Sequence, residues 1–92
     1  VIGRGVIVNT CASVDHDCQI GDFCHVGVGA HLSGAVHVGD RSMLGVGAVV
    51  RNNTDICADC MVGAGAAVVS PLTEPGVYVG VPARRLYPDG VN

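Results

Sequence analysis

One histidine of this chain lies between two carboxylates, in the run Asp15-His16-Asp17. A carboxylate that accepts a hydrogen bond from one imidazole nitrogen orients the ring and raises the basicity of the other nitrogen. General-base catalysis needs this pairing, whereas an isolated histidine on a surface is usually inert. The residue types therefore make His16 the strongest candidate for a catalytic group.

The elements that must position His16 follow a repeat of six residues. Every sixth residue from Ile2 to Val68 is aliphatic, and the fourth residue after each of these is small or apolar. Gly directly follows the aliphatic residue in about half of the units. A period of six fits neither an amphipathic helix nor an alternating strand. It is typical of a parallel β-helix, in which each hexapeptide forms one short strand and a turn.

The repeat predicts an all-β fold with a triangular coil of three hexapeptides. Positions three hexapeptides apart then stack about 4.8 Å from one another in neighbouring coils, with aliphatic side chains pointing inward. We predict about four coils over residues 1–74 and a C-terminal loop and tail over residues 75–92, because the register breaks at Glu74. The glycines after the aliphatic residues would serve turns that need positive φ or a close backbone approach. Gly34 stacks on His16, which predicts a gap above the imidazole where a substrate could lie.

Three other histidines and the cysteines follow the same grid. The histidines at positions 25, 31 and 37 occupy the sixth place of their units, which we expect to face outward at turns. Cysteines at positions 18, 24 and 60 occupy the small inward place, where a thiol acts as a small apolar group. Cys57 and Cys60 form a single C-x-x-C without a second pair. We therefore predict neither a zinc site nor a disulfide.

Composition restricts the location and the partners. The net charge is −3 with five basic residues, so no basic stripe is present for nucleic acid. The sequence shows neither a signal peptide nor an apolar run long enough to cross a bilayer, and we expect no membrane association. Reduced cysteines favour a cytoplasmic protein. The chain opens inside the repeat at Val1 without a cap, from which we expect that an N-terminal part is missing.

Two segments closely resemble the sugar acetyltransferases, namely the sialic acid O-acetyltransferases and the bacterial UDP-4-amino-sugar N-acetyltransferases. They are residues 6–30, VIVNTCASVDHDCQIGDFCHVGVGA, and residues 79–84, VGVPAR. The hexapeptides alone are shared by many acyltransferases, but the block N-T-x-x-x-V-x-H-[DE]-C-x-I-G-x-F-x-H-V is specific. The resemblance covers residues 3–86. It implies a left-handed coil and a homotrimer that binds acetyl-CoA between adjacent subunits.

The resemblance also implies a reaction and the residues that carry it out. An amine or hydroxyl of a sugar or nucleotide sugar would attack the thioester directly, without an acyl-enzyme and without a metal. His16 would take the proton of the attacking group, and Asp17 would polarise His16. Asn9 and His25 match positions that contact the reactants near the thioester. An oxyanion can be met by backbone N–H groups.

The position of the co-substrate is implied in the same way. Val46 and Ala64 match positions whose backbone touches the pantetheine arm, and their spacing of three hexapeptides stacks them on one face. Arg84, at the end of the VGVPAR segment, matches a loop near the adenine-phosphate end and would contact a phosphate. Full-length family members carry a βαβ domain for the nucleotide of the sugar, and we expect this domain to be missing from the sequence. The sugar acceptor, and N- against O-acetylation, therefore stay open.

Two other classes of protein share the repeat. A zinc carbonic anhydrase is built on the same fold with three histidine ligands across a subunit interface. Its ligands include a closely spaced pair, at an interval that does not occur among the histidines of this chain at positions 16, 25, 31 and 37. The second alternative is a non-catalytic trimeric β-helix module, against which the complete set of His16, Asp17, Asn9 and His25 argues.

Overall fold

Short strands alone make up the regular structure of residues 1–86, which are the residues that the computed structural model describes. No helix in this part is long and apolar enough to span a bilayer. The strands are β1 (Ile7–Val8), β2 (Ser13–Val14), β3 (Gln19–Ile20), β4 (His25–Val26), β5 (His31–Leu32), β6 (His37–Val38), β7 (Met43–Leu44), β8 (Val49–Val50), β9 (Asp55–Ile56), β10 (Cys60–Val62), β11 (Ala67–Val68), β12 (Gly76–Val79) and β13 (Arg84–Leu86).

The strands form the three faces of a prism. Face 1 has the strand order β1-β4-β7-β10-β12-β13, face 2 has β2-β5-β8-β11, and face 3 has β3-β6-β9. Strands of neighbouring coils pair in parallel, and paired residues are three hexapeptides apart, as in Val14↔Leu32 and Leu32↔Val50. The predicted parallel β-helix of about four coils is therefore confirmed. Turns, mostly of four residues, form the first corner after face 1 (9–12, 27–30, 45–48, 63–66), the second after face 2 (15–18, 33–36, 51–54, 69–71) and the third after face 3 (21–24, 39–42, 57–59).

The core is a thin aliphatic column inside the prism. In most strands the second residue points inward, because successive side chains alternate across a strand. Leu32, Val50 and Val68 stack in this way along face 2 and are each 1% exposed. Small residues close the corners, where Ala30 and Ala48 are fully buried. In these strands the first residue therefore points outward and decides the chemistry of its face.

The glycines that follow the inward aliphatic residues allow neighbouring coils to approach closely. A Cβ atom on Gly27 would lie 2.6 Å from the carbonyl oxygen of Leu44, and one on Gly39 would overlap the backbone nitrogen of Ala58. The alternative expectation of positive φ at these glycines is wrong. Positive φ occurs instead at the third residue of most turns, as at Asn53 (58°) and Gly65 (69°).

These two roles of glycine predict different losses of stability. Gly39→Ala places a methyl group against backbone atoms and should lower the free energy of unfolding by about 3 kcal/mol, the cost of overpacking. Gly65→Ala has open space around its Cβ and should lose only about 1 kcal/mol from the positive φ. Urea denaturation of both variants measures the difference. Equal losses would contradict the close-approach account.

The segment after residue 74 continues face 1. We expected a loop and tail from residue 75, but residues 76–86 form two strands. β12 pairs in parallel with β10, with Tyr78 opposite Val62, and β13 returns antiparallel to β12. Tyr78 takes the inward place of an aliphatic residue, and its hydroxyl donates a hydrogen bond to the carbonyl of Glu74 at 2.7 Å. The tail expected at residues 87–92 lies outside the described residues.

Faces 1 and 3 differ in the outward side chains they present. On face 1 the residues Ile7, Met43 and Met61 are 55%, 41% and 46% exposed. On face 3 the outward residues are polar, and the imidazole of His37 lies 3.4 Å from a carboxylate oxygen of Asp55. An exposed apolar sheet face of this kind is typical of an interaction surface.

Candidate active site

The second corner holds His16 in the turn between β2 and β3. Its Nδ1 atom lies 3.2 Å from Oδ2 of Asp17, and its backbone N–H donates a hydrogen bond to Oδ1 of Asp15 at 2.9 Å. Asp17 thus contacts the ring, whereas Asp15 holds the backbone of the turn. Because the carboxylate takes Nδ1, the Nε2 atom is left as the basic nitrogen. The arrangement is suited to proton abstraction at Nε2.

Gly34 lies directly against the imidazole of His16. A Cβ atom at Gly34 would be 2.6 Å from both Cε1 and Nε2 of the ring. The prediction of a gap above His16 is therefore wrong, because the imidazole itself occupies the space that a side chain at Gly34 would fill. The carbonyl of Gly34 accepts a hydrogen bond from the N–H of Asn53, but the N–H of Gly34 donates none within residues 1–86. The residue packed against the imidazole is thus buried and has an unused N–H.

The first corner and face 1 hold the pair Asn9 and His25. The N–H of Thr10 donates to Oδ1 of Asn9 at 2.7 Å, so the amide nitrogen of Asn9 faces His25 Nε2 at 3.4 Å. His25 is half-buried on β4. The prediction that His25, His31 and His37 face outward is confirmed, but their placement at turns is wrong. Each unit has a four-residue turn, so its sixth place is already the first residue of a strand.

A shallow groove runs from Asn9 and His25 towards the later coils. It has a volume of about 250 Å³ and is also lined by Gly27, Val28, Met43, Leu44, Gly45 and Val46. The carbonyl of Val46 accepts a hydrogen bond from Gly65, and Ala64 stacks one coil beyond Val46. The N–H groups of Val46 and Ala64 make no hydrogen bond within the described residues. The groove can therefore hold an apolar chain that carries amide groups.

The predicted site residues fall into separate groups within this chain. His16, Asp17 and Gly34 lie at the second corner, whereas the groove follows the first corner. Face 2 separates the two corners in every coil. Arg84 lies apart from both groups, on β13, where it lines another groove of about 330 Å³ with Tyr78 and Arg85. The turn before β13 is held to the last coil, since Ala83 donates a hydrogen bond to the carbonyl of Ala67.

Two polar groups were missed by the sequence analysis. Ser13 Oγ lies 2.6 Å from His31 Nδ1 on face 2, between the two corners. Arg51 and Asn52 form a polar turn at the second corner, two coils beyond His16. The spacing of three hexapeptides was the available signal in both cases, because it stacks Ser13 under His31 and Asn52 over Gly34.

Cys24 and Cys60 are buried free thiols without the properties of a nucleophile. Cys57 Sγ and Cys60 Sγ are 3.4 Å apart. Burial, together with the neighbouring Cys57 thiol, raises the pKa of Cys60 to about 12, and burial also raises the pKa of Cys24. Both are therefore protonated at neutral pH, and a thiol is a weak nucleophile. Within residues 1–86 no group of three or more His, Cys, Asp or Glu side chains could hold a metal ion.

Comparison with known proteins adds to this geometry. No protein-family model matches the sequence. One similar structure is that of a perosamine N-acetyltransferase from Caulobacter crescentus, in which one histidine is mutated and CoA and GDP-perosamine are bound. Its sequence is 48% identical to this chain, and the two structures superpose with a TM-score of 0.90. The match covers 91% of this chain and 40% of that chain. Over this matched length the chain is therefore similar to hexapeptide-repeat sugar acetyltransferases.

Two further solved structures show the same similarity. The acetyltransferase domain of PglB from Neisseria gonorrhoeae FA1090, in complex with acetyl coenzyme A, is 44% identical with a TM-score of 0.87, over 89% of this chain and 40% of that chain. WeeI from Acinetobacter baumannii AYE is 34% identical with a TM-score of 0.88, over 92% of this chain and 42% of that chain. The chain thus spans about 40% of the length of these relatives.

Proposed function

We propose that this chain is the acetyl-transfer part of an acetyl-CoA-dependent enzyme that acetylates an amine or hydroxyl of a sugar or nucleotide sugar. The observation that carries the proposal is the His16–Asp17 pair packed on Gly34, in a chain 48% identical to a perosamine N-acetyltransferase. Because that similar enzyme was solved in complex with CoA and GDP-perosamine, an amino-sugar nucleotide is the first acceptor to test. A cytoplasmic location stays a prediction.

The reaction begins with a proton transfer to His16. The lone pair of the acceptor nitrogen or oxygen attacks the carbonyl carbon of the acetyl thioester, and Nε2 of His16 takes the proton of the attacking group. Asp17, held at Nδ1, stabilises the imidazolium that forms. Collapse of the tetrahedral intermediate breaks the C–S bond, and the imidazolium of His16 returns its proton to the departing thiolate of CoA. Cys24 and Cys60, as protonated thiols, take no part.

The N–H of Gly34 is suited to stabilise the negative oxygen of that intermediate. It belongs to the residue packed against the imidazole of His16, and it has no hydrogen-bond partner within the described residues. A donor that is already oriented stabilises developing charge without reorganisation. Because Gly has no side chain, the backbone at this position can lie against both the imidazole and the substrate.

The groove at the first corner is suited to the pantetheine arm of acetyl-CoA. Its lining is mostly apolar, and the unused N–H groups of Val46 and Ala64 follow one another along the axis of the prism. Pantetheine is an extended chain with two amide carbonyls, which such donors can bind. Asn9 and His25, at the N-terminal end of the groove, would then lie near the thioester. Arg84 stays a candidate phosphate contact.

The separation of the two corners supports assembly from more than one subunit. We propose a homotrimer in which the groove of one subunit lies near His16 of another, so that the active site forms at the interface. Closed cyclic symmetry would also cover the apolar residues Met43 and Met61 of face 1.

The oligomeric state gives a direct test of this assembly. Sedimentation equilibrium of the chain should yield the mass of a trimer at micromolar concentration, and Met43→Lys with Met61→Lys should shift it towards monomer. These substitutions place charges on an interface that is otherwise apolar, at no cost to the core. A wild-type protein that remains a monomer would contradict the interfacial site.

Release of free CoA thiol tests the proposed function itself. The chain is mixed with acetyl-CoA and GDP-perosamine, with GDP-mannose as a control that lacks the amine. We expect thiol release that depends on the amino sugar, with the acetylated product seen by mass spectrometry. Acetyl-CoA binding without transfer to any amino or hydroxyl sugar would instead favour a non-catalytic β-helix module.

A further inference from the structure

Arg51 differs from most basic residues of the chain in having no acidic partner. All five basic residues are arginines. Arg4 pairs with Asp22, and Arg41 pairs with Asp59 through Nε at 2.8 Å. Arg85 pairs with a carboxylate in the same way. Arg51 is exposed on the turn after β8 and makes no ion pair within residues 1–86.

Arg51 lies in a small groove whose other polar groups are also unused. The groove has a volume of about 250 Å³ and is lined by Arg51, Asn52, Asn53, Thr54, Val69 and Pro71. The side-chain amides of the two asparagines make no hydrogen bond within the described residues, and neither does the backbone N–H of Asn52. A guanidinium and several N–H donors facing one groove form a set that suits an oxyanion with several oxygens.

The groove shares its corner with the proposed catalytic histidine. His16, Gly34 and Asn52 occupy the same place in successive turns, and Asn53 donates a hydrogen bond to the carbonyl of Gly34 at 2.9 Å. Two coils correspond to about 10 Å along the axis. An extended ligand whose reacting group lies at His16 can therefore reach Arg51 with a charged group further along its length.

We propose that the Arg51–Asn53 turn is a phosphate-binding subsite of the acetyl-transfer site. The proposal rests on the proposed function, because both reactants of that function carry a diphosphate: acetyl-CoA and a nucleotide-sugar acceptor. The charge-assisted bond from the Arg51 guanidinium supplies most of the affinity, and the amides of Asn52 and Asn53 orient the oxygens. The subsite holds the ligand along the second corner and leaves the reacting end at Nε2 of His16.

Calorimetry with three probes tests the subsite and identifies which of the two reactants places its phosphates there. The probes are acetyl-CoA, S-acetylpantetheine, which has the same thioester but no phosphate, and GDP-perosamine. Arg51→Ala should weaken one of the two phosphate-bearing probes by about 10- to 100-fold and leave S-acetylpantetheine unchanged. A loss confined to acetyl-CoA assigns the subsite to the co-substrate, and one confined to GDP-perosamine assigns it to the acceptor. Arg51→Lys should recover part of the affinity, because it keeps the charge without the planar fork.

Arg41→Ala is the matched control. Arg41 lies in the same coil as Arg51 but at the third corner, and it is already paired with Asp59. Its removal changes the net charge by the same amount and should change no affinity. If Arg51→Ala stays within about threefold of Arg41→Ala for both phosphate-bearing probes, the subsite is overturned while the proposed function stands. Wild-type protein that binds neither acetyl-CoA nor S-acetylpantetheine would overturn both.

Discussion

Replacing His16 by Ala should lower acetyl transfer by about 10²- to 10⁴-fold, which is the usual contribution of a positioned general base. The fold and the oligomer should stay intact, because the side chain of His16 is exposed at a turn and contributes nothing to the aliphatic core. Single-turnover release of CoA thiol measures the loss. The affinity for acetyl-CoA should change little, so that the effect falls on the rate constant and not on binding.

His37→Ala is a matched control for this substitution. His37 also lies beside a carboxylate, with its Nδ1 atom 3.4 Å from Oδ1 of Asp55, but it projects from face 3 and not from the second corner. Its loss should leave transfer within about threefold of wild type. The opposite ranking of the two variants would show that His16 is not the base. Asp17→Asn should cost less than His16→Ala, since Asp17 only orients and polarises the ring.

Ala64→Trp should abolish acetyl-CoA binding and leave the β-rich circular dichroism spectrum unchanged. Ala64 stacks one coil beyond Val46, and its short exposed side chain leaves the backbone N–H open to a ligand. An indole at this place would cover the path that the pantetheine arm needs along the first corner. Calorimetric titration with acetyl-CoA gives the result directly.

Ala58→Trp provides the control for steric bulk. Ala58 is the second residue of its turn, like Ala64, and lies in the same coil at the third corner. It should bind acetyl-CoA as the wild type does, because no proposed ligand contact lies at that corner. Wild-type affinity in Ala64→Trp would place the pantetheine groove elsewhere, and the assignment of Val46 and Ala64 would fail even though the similarity to the sugar acetyltransferases stands.

The amino-acid sequence by itself determined the architecture. Aliphatic residues at a period of six can all be buried only if each hexapeptide contributes one short strand, so the β-helix and the stacking of every third hexapeptide follow from the spacing. The carboxylates beside His16 were equally visible, because groups adjacent in sequence at a turn are adjacent in space. Tyr78 escaped prediction for the opposite reason. It replaces an aliphatic residue after a turn of altered length, which a fixed period does not detect.

Only the tertiary structure decided how the site residues relate to one another. Asn9 and His16 are close in sequence, yet they lie at different corners, because a strand of face 2 separates their turns. The contact of the imidazole with Gly34, and the unused N–H of that glycine, depend on the rotamer of His16 and on the path of the next coil. A linear pattern shows which positions stack, but side-chain direction and hydrogen-bond satisfaction are properties of the packed coil, and those properties identify where a ligand can bind.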